Sequence, residues 1–160
     1  MKILLLQPIV PIEVRWGKFK KASGFVPPLG LVNIAGYLDS KGYDVTVCDA
    51  QLERFTEEDL ANYLSKGKYD LIGIPAFTNS IMYSFKTAEV CKKILPNSTV
   101  VFGSVHASIL PEQVLQDCSF VDIVVMGEGE YIMEDIINSL KYNQPSFSEI
   151  IGIAYRKDDG

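Results

Sequence analysis

Short blocks of consecutive apolar residues alternate along this chain with longer stretches whose apolar positions recur every three or four residues. The first block, "KILLLQP" (2–8), is apolar without interruption, the pattern of a strand covered on both faces. Similar blocks predict strands at "YDVTVCDA" (43–50), "YDLIGIPA" (69–76), "STVVFG" (98–103) and "VDIVVMG" (121–127). A last strand is expected in "EIIGIAYRKDDG" (149–160), running into a polar end. The segment 29–42 has Leu29, Val32, Ala35 and Leu38 at helical spacing, opens after Pro27-Pro28 and stops at Gly42, the expected start and stop signals. Thr56 followed by acids predicts a capped helix over 56–67. Ser80 is the expected cap of an amphipathic helix over 80–95, and Pro111 lies near the first turn of a short helix over 110–118. A fifth helix is expected over 130–141.

Five strand–helix units followed by one strand predict an α/β domain over residues 1–160, doubly wound, with a mainly parallel five-stranded sheet, helices on both faces and a final C-terminal strand. Parallel neighbours require crossover helices. Ligands of such sheets sit beyond the carboxyl ends of the strands, at the point where strand order reverses. The one long irregular stretch, residues 9–28, holds the only tryptophan, Trp16, with Phe19, Phe25 and a basic patch at Lys18–Lys21. Loops of this length tend to be functional, and a flap over a site or a partner-docking surface both fit.

Composition narrows the partners. With 48% hydrophobic residues, 22% charged residues and a net charge of −5, the chain matches an ordinary globular protein. It lacks the clustered Lys and Arg of a phosphate-backbone binder, so no nucleic acid is expected. No stretch approaches the roughly 18 apolar residues of a membrane span, and "MKILLLQP" carries no small-residue cleavage site. No membrane and a cytoplasmic location are the expectations. Cys48, Cys91 and Cys118 form no Cys-x-x-Cys pair, zinc pattern or iron–sulfur run, and read as buried thiols in a reducing compartment.

The turns after the strands carry the chemistry. After the first, "QPIVP" contains neither a dinucleotide glycine fingerprint nor a P-loop. Asp49, ending the second strand, fits a local turn acceptor or a ribose ligand. "IPAFTN" (74–79), with Phe77 and Thr78, suits a flat, partly apolar ligand. "GSVHAS" (103–108) brings Gly103 for close backbone approach, together with Ser104, Ser108 and the only histidine, His106. "GEGE" (127–130) sets two glycines and two carboxylates at a helix start, where capping accounts for Glu130 but not for Glu128. His106 has no companion ligands at metal-site spacing, and no Gly-x-Ser-x-Gly elbow is present. No catalytic residue and no metal ligand are assigned, and no activity is expected of this chain alone. The strand ends form a cradle for a ligand that brings its own reactivity.

Taken together, "VPPLGLVNIAGYLDSKGYDVTVCDA", "YDLIGIPAFT", "VVFGSVHASILPEQVL" and "VDIVVMGEGEY" resemble the N-terminal cobalamin-binding domain of class B radical S-adenosylmethionine enzymes, the methyltransferase and cyclase group of iron–sulfur oxidoreductases. The family pattern runs Pro-Pro-Leu-Gly, then Gly-Gly-x-His-x-Ser-x-x-Pro-Glu, then Asp-x-x-x-x-Gly-Glu-Gly-Glu, in the order found over residues 2–155. The resemblance implies a flavodoxin-like (Rossmann-like) fold and cobalamin as cofactor, with the nucleotide tail threaded into the carboxyl edge of the sheet and the corrin over the loops. It implies that Gly103 and Ser104, followed by Val105 and His106, face the tail. Pro75, Ala76, Phe77 and Thr78 would line the other wall, and Gly127, Glu128 and Gly129 the third side. Pro28, Leu29 and Gly30 would meet the corrin rim, and Gln7, at the end of the first strand, is expected among the cofactor-binding residues.

Three departures shape the expectation. The Asp-x-His-x-x-Gly motif that supplies a cobalt-ligating histidine is absent, so cobalamin is expected without a protein histidine on the metal. Ser104 replaces the second glycine of Gly-Gly, and Pro75-Ala76-Phe77 replaces Ser-x-Leu. The Cys-x-x-x-Cys-x-x-Cys that holds a 4Fe–4S cluster does not occur. The cluster and S-adenosylmethionine are therefore expected in a separate C-terminal radical domain, partnered in cis, from which this N-terminal part reads as excised. An alternative is the same fold, degenerate at the tail pocket and kept as an interaction or substrate-gating domain. A flavodoxin or receiver domain fits less well, because a receiver wants acids after the first strand and a Lys after the fifth.

Overall fold

In the computed structural model, which describes residues 1–11, 14, 17–18 and 26–157, the apolar run of the first strand, β1 (Lys2–Gln7), divides between two cores. Leu4 and Leu6 enter one, Ile3 and Leu5 the other, because successive side chains of a strand point to opposite faces. The same division runs through β3 (Leu71–Pro75), with Ile72 and Ile74 opposite Leu71, and β4 (Thr99–Gly103), with Val100 and Phe102 opposite Val101. With β2 (Asp44–Asp49), β5 (Ile123–Val125) and β6 (Ile153–Tyr155), the sheet order is β2-β1-β3-β4-β5-β6. The first five strands are parallel, and β6 pairs antiparallel with β5. The expected doubly wound α/β sheet is therefore present, and strand order reverses between β1 and β3.

One face is covered by α1 (Leu29–Ser40) and α6 (Gly129–Tyr142), through Leu31, Leu38, Met133, Ile136 and Ile137. The other is covered by α2 (Glu57–Gly67), α3 (Ile81–Ile94), α4 (Val105–Ile109) and α5 (Pro111–Asp117), through Leu60, Leu64, Ala88, Cys91, Ala107 and Val114. The three cysteines are buried and free. Phe102 is fully buried and stacks on Phe85 with ring centroids 6.0 Å apart.

Local chemistry sets the helix ends. Thr56 Oγ1 accepts the Asp59 N–H at 3.1 Å while the Thr56 N–H donates to the Asp59 carboxylate at 2.9 Å, a reciprocal capping box. α2 then stops at Lys68, which turns left-handed at φ 52. Along the α1/α6 face, the Tyr37 hydroxyl donates to Glu134 and the Tyr43 hydroxyl to Asn138 at 3.1 Å.

Four expectations need correction. Ser80 stands at the start of α3, but its side chain makes no capping bond, and its hydroxyl turns back to the Phe77 carbonyl. Residues 105–109, read as a turn, form α4. The strand expected over 121–127 shortens to Ile123–Val125. The last strand is confined to Ile153–Tyr155, after a 3₁₀ turn at Phe147–Glu149 and Gly152 at φ 89. The flap expected over 9–28, with Trp16, Phe19, Phe25, Lys20 and Lys21, lies mostly outside the described residues.

Candidate functional site: a cleft at the carboxyl edge

Beyond the carboxyl ends of β1, β3, β4 and β5 lies a cleft of about 460 Å³, walled on its helical side by the starts of α1 and α6. Its floor is apolar: Leu5, Val101, Val125 and Met133, with Gly73 among them. A Cβ on Gly73 would come within 2.9 Å of Leu5 Cδ2. The rim carries Val26, Leu29 and Phe77, and the polar groups are Gln7, Asn33, Ser104, Glu128 and Glu130. Apolar walls with a few convergent polar groups are the usual composition of a small-molecule site. The position, at the β1/β3 reversal, is where a doubly wound sheet receives its ligand.

Glycine keeps the cleft open and lets its helical wall close. A Cβ built on Gly103 meets nothing within 4 Å, so the space that this residue leaves is cleft, not a protein contact. At the start of α6, a Cβ on Gly129 would lie 2.7 Å from Ile34 Cδ1, and its absence lets α6 settle against α1. Gly127, at φ 90, turns the chain off β5 into that helix. Glu128 is the residue before α6, and its side chain makes no capping bond.

Of the residues singled out in the sequence, Gln7, Pro28, Leu29, Gly30, Pro75, Phe77, Gly103, Ser104, Gly127, Glu128 and Gly129 come together around this one cleft. Ala76, Thr78, Val105 and His106 are not part of its lining. Ala76 is fully buried in the opposite core, Val105 is exposed, and His106 Nδ1 lies 3.1 Å from Thr78 Oγ1. Asp49 takes the local role of its two readings: its Oδ1 accepts the N–H groups of Gln51 and Leu52 at 3.1 and 2.9 Å.

α4 links the three loops behind the cleft wall. The Ala76 N–H donates to the Gly103 carbonyl at 2.8 Å, and the His106 N–H to the Ala76 carbonyl at 3.2 Å. At its far end the Ser108 hydroxyl accepts the Gly127 N–H at 3.2 Å. The turns after β3, β4 and β5 are therefore held in one arrangement.

The sequence expectation did not include Asn33, Ile34, Glu130 and Met133, which also line the cleft. A signal for the first two was present: Gly30, Asn33 and Ile34 fall at i, i+3 and i+4 on one helical face. Among the described residues no group of three His, Cys, Asp or Glu side chains could hold a metal ion. Among the same residues no helix is long and apolar enough to cross a membrane.

Residues 18–137 match the family model of the B12 binding domain. The chain belongs to the B12-binding domain family. It is 32% identical over 158 residues to an uncharacterized methyltransferase of Pyrococcus horikoshii, covering 99% of this chain and 33% of that protein. An anaerobic magnesium-protoporphyrin IX monomethyl ester cyclase of Rubrivivax gelatinosus is 30% identical over 141 residues, 86% of this chain and 25% of the cyclase. The B12-binding chain thus spans a third or less of these curated relatives. Among solved structures, the cobalamin-dependent S-adenosylmethionine radical enzyme OxsB, with aqua-cobalamin and S-adenosylmethionine bound, superposes with a TM-score of 0.81 at 21% identity, over 99% of this chain and 21% of OxsB. The radical S-adenosylmethionine methyltransferase TsrM from Kitasatospora setae gives 0.76 at 17% identity, over 99% of this chain and 29% of TsrM. At these identities the two likenesses establish a shared fold.

Proposed function

We propose that this B12-binding domain holds cobalamin in the carboxyl-edge cleft and belongs to a longer radical S-adenosylmethionine protein. The observation that carries the reading is the open cleft at the β1/β3 reversal, floored by Leu5 and Gly73 and free of side chain at Gly103. The nucleotide tail would enter between Gly103–Ser104 and the α6 start, and the corrin would lie over Phe77, Leu29 and the Pro27–Pro28 turn. Cobalamin supplies the reactivity of the cobalt centre, for methyl or electron transfer. The chain's own residues supply binding and orientation. The 4Fe–4S cluster and S-adenosylmethionine would belong to the radical domain in cis.

No imidazole lines the cleft among the described residues, since His106 is engaged with Thr78. The cobalt would therefore take no histidine ligand from this chain. A domain that had lost its ligand would be expected to fill the cleft, and the opening of about 460 Å³ weighs against that alternative.

The test is a visible-absorbance titration of the protein with hydroxocobalamin, followed by electron paramagnetic resonance of the Co(II) form. A saturable shift near equimolar ratio, without nitrogen hyperfine splitting, is expected. No shift at high micromolar cobalamin would overturn the reading.

A further inference from the structure

Four residues other than glycine have positive φ in the described structure. Arg54, Lys68 and Asn143 lie at φ 52 to 56, the left-handed region that turns and helix ends admit for ordinary side chains. Ser104 differs from them. Its φ of 80 with ψ 179 falls in the extended positive-φ region that is essentially reserved for glycine.

Among the described residues nothing compensates for that placement. The Ser104 carbonyl accepts the Ser108 N–H at 2.9 Å, a bond that glycine would make equally well. Its side chain does not cap α4, and among the described residues its hydroxyl makes no hydrogen bond. The residue lines the cleft next to Gly103, where a Cβ would meet no protein atom within 4 Å. An outlier of this kind, kept at a ligand wall with a free donor, points to a role toward the ligand.

We propose that the Ser104 hydroxyl is a specificity-determining group that hydrogen-bonds the nucleotide tail of cobalamin. The proposal rests on the cobalamin reading of the cleft. The tail brings the matching chemistry, because its phosphate and ribose oxygens and its base nitrogen are acceptors. Ser104 and Gly103 sit at the end of β4, beyond the apolar Val101 and next to the Gly73 strand, and share the cleft with the polar groups of Gln7, Asn33, Glu128 and Glu130. A hydroxyl fixed at this point of the β4 wall sets the depth and rotation of the tail there, where the neighbouring Gly103 and Val101 offer no side-chain donor.

The experiment compares the unaltered protein with Ser104→Gly and Ser104→Ala, each titrated with hydroxocobalamin and with cobinamide, which lacks the nucleotide tail. Ser104→Gly is expected to raise the melting temperature, because glycine adopts this backbone without strain. It should also weaken hydroxocobalamin binding about fivefold, the factor for one ordinary hydrogen bond at about 1.4 kcal/mol per decade. Ser104→Ala keeps the Cβ and the strain and loses only the hydroxyl. It should show the same weakening with no rise in melting temperature. Cobinamide affinity should be the same for all three proteins.

Hydroxocobalamin binding by Ser104→Gly as tight as that of the unaltered protein would overturn the proposal while leaving the cobalamin reading intact. Equal weakening toward cobinamide would overturn it too, by assigning the hydroxyl to the corrin. Failure of the unaltered protein to bind hydroxocobalamin would instead remove the cobalamin reading, and this proposal with it.

Discussion

The Nδ1 of His106 lies 3.1 Å from the Oγ1 of Thr78, joining residues 28 positions apart, one on α4 and the other on the turn after β3. Neither side chain lines the cleft, yet together they tie its two neighbouring walls. His106→Ala should therefore loosen the wall without removing a ligand contact. Hydroxocobalamin affinity should fall by less than about tenfold, the range of one net hydrogen bond. The Co(II) resonance spectrum should be unchanged. A spectrum altered by the substitution would make His106 a cobalt ligand.

Gly103 gives a sharper separation of fold from binding. A Cβ there meets no protein atom within 4 Å, and β-branched residues suit strands. Gly103→Val should leave the thermal midpoint nearly unchanged and abolish the saturable absorbance shift with hydroxocobalamin. Retained binding would show that the ligand does not pass this wall.

Buried thiols contribute to the loss of stability at alkaline pH. Burial pushes the Cys48 thiol up to about 11 and the Cys91 thiol to about 12, from an ordinary value of 9.0. A group whose folded value is raised stabilises the fold fully below its unfolded value and loses that contribution as pH rises toward the folded one. Unfolding free energy should therefore decline from about pH 9 upward. Cys91→Ala should flatten that decline, as measured by urea unfolding at a series of pH values. At pH 8, alkylation of the native protein should be slow and should accelerate on unfolding.

Asp122 joins three elements at the far edge of the sheet. Its Oδ2 lies 2.7 Å from Lys92 Nζ on α3 and accepts the Val100 N–H of β4 at 2.7 Å. The Asp122 carbonyl accepts the Arg156 N–H just after β6, at 3.0 Å. Asp122→Ala should lower unfolding stability by about 2 kcal/mol, the scale of a charge-assisted hydrogen bond left unmade. Cobalamin affinity should not change, because the residue lies at the opposite edge from the cleft. Chemical denaturation and the same titration check both halves.

The strands and long helices were legible because their signals are local and repeated. The unbroken apolar run of β1 gives a strand buried on both faces, and Thr56 with Asp59 gives a helix start whose partners lie three residues apart. α4 was not legible: at five residues it is too short to show a period, and Gly103-Ser104 before it looks like a turn. The direction of β6 was hidden for another reason, since hydrophobic alternation does not encode whether a neighbour runs parallel. The strand ends indicated most of the site, because in a doubly wound sheet they converge. They could not show that His106 faces Thr78 rather than the cleft, which depends on a hydrogen bond between α4 and the turn after β3. Nor could they give the backbone angle of Ser104.

The strand order also bears on the sequence of events in folding. β1 is central, and its partners come later in the chain: Ile3 pairs with Val45 on one side and with Leu71 on the other. Neither pairing is local, and contacts between distant segments form slowly because loop closure comes first. The wall that α6 contributes through Gly127–Glu130 follows every parallel strand in the chain. During synthesis from the N-terminus, the apolar floor at Leu5 and Gly73 therefore emerges well before the helix that flanks it. A ligand that meets the nascent domain finds a complete cleft only after α6 has docked.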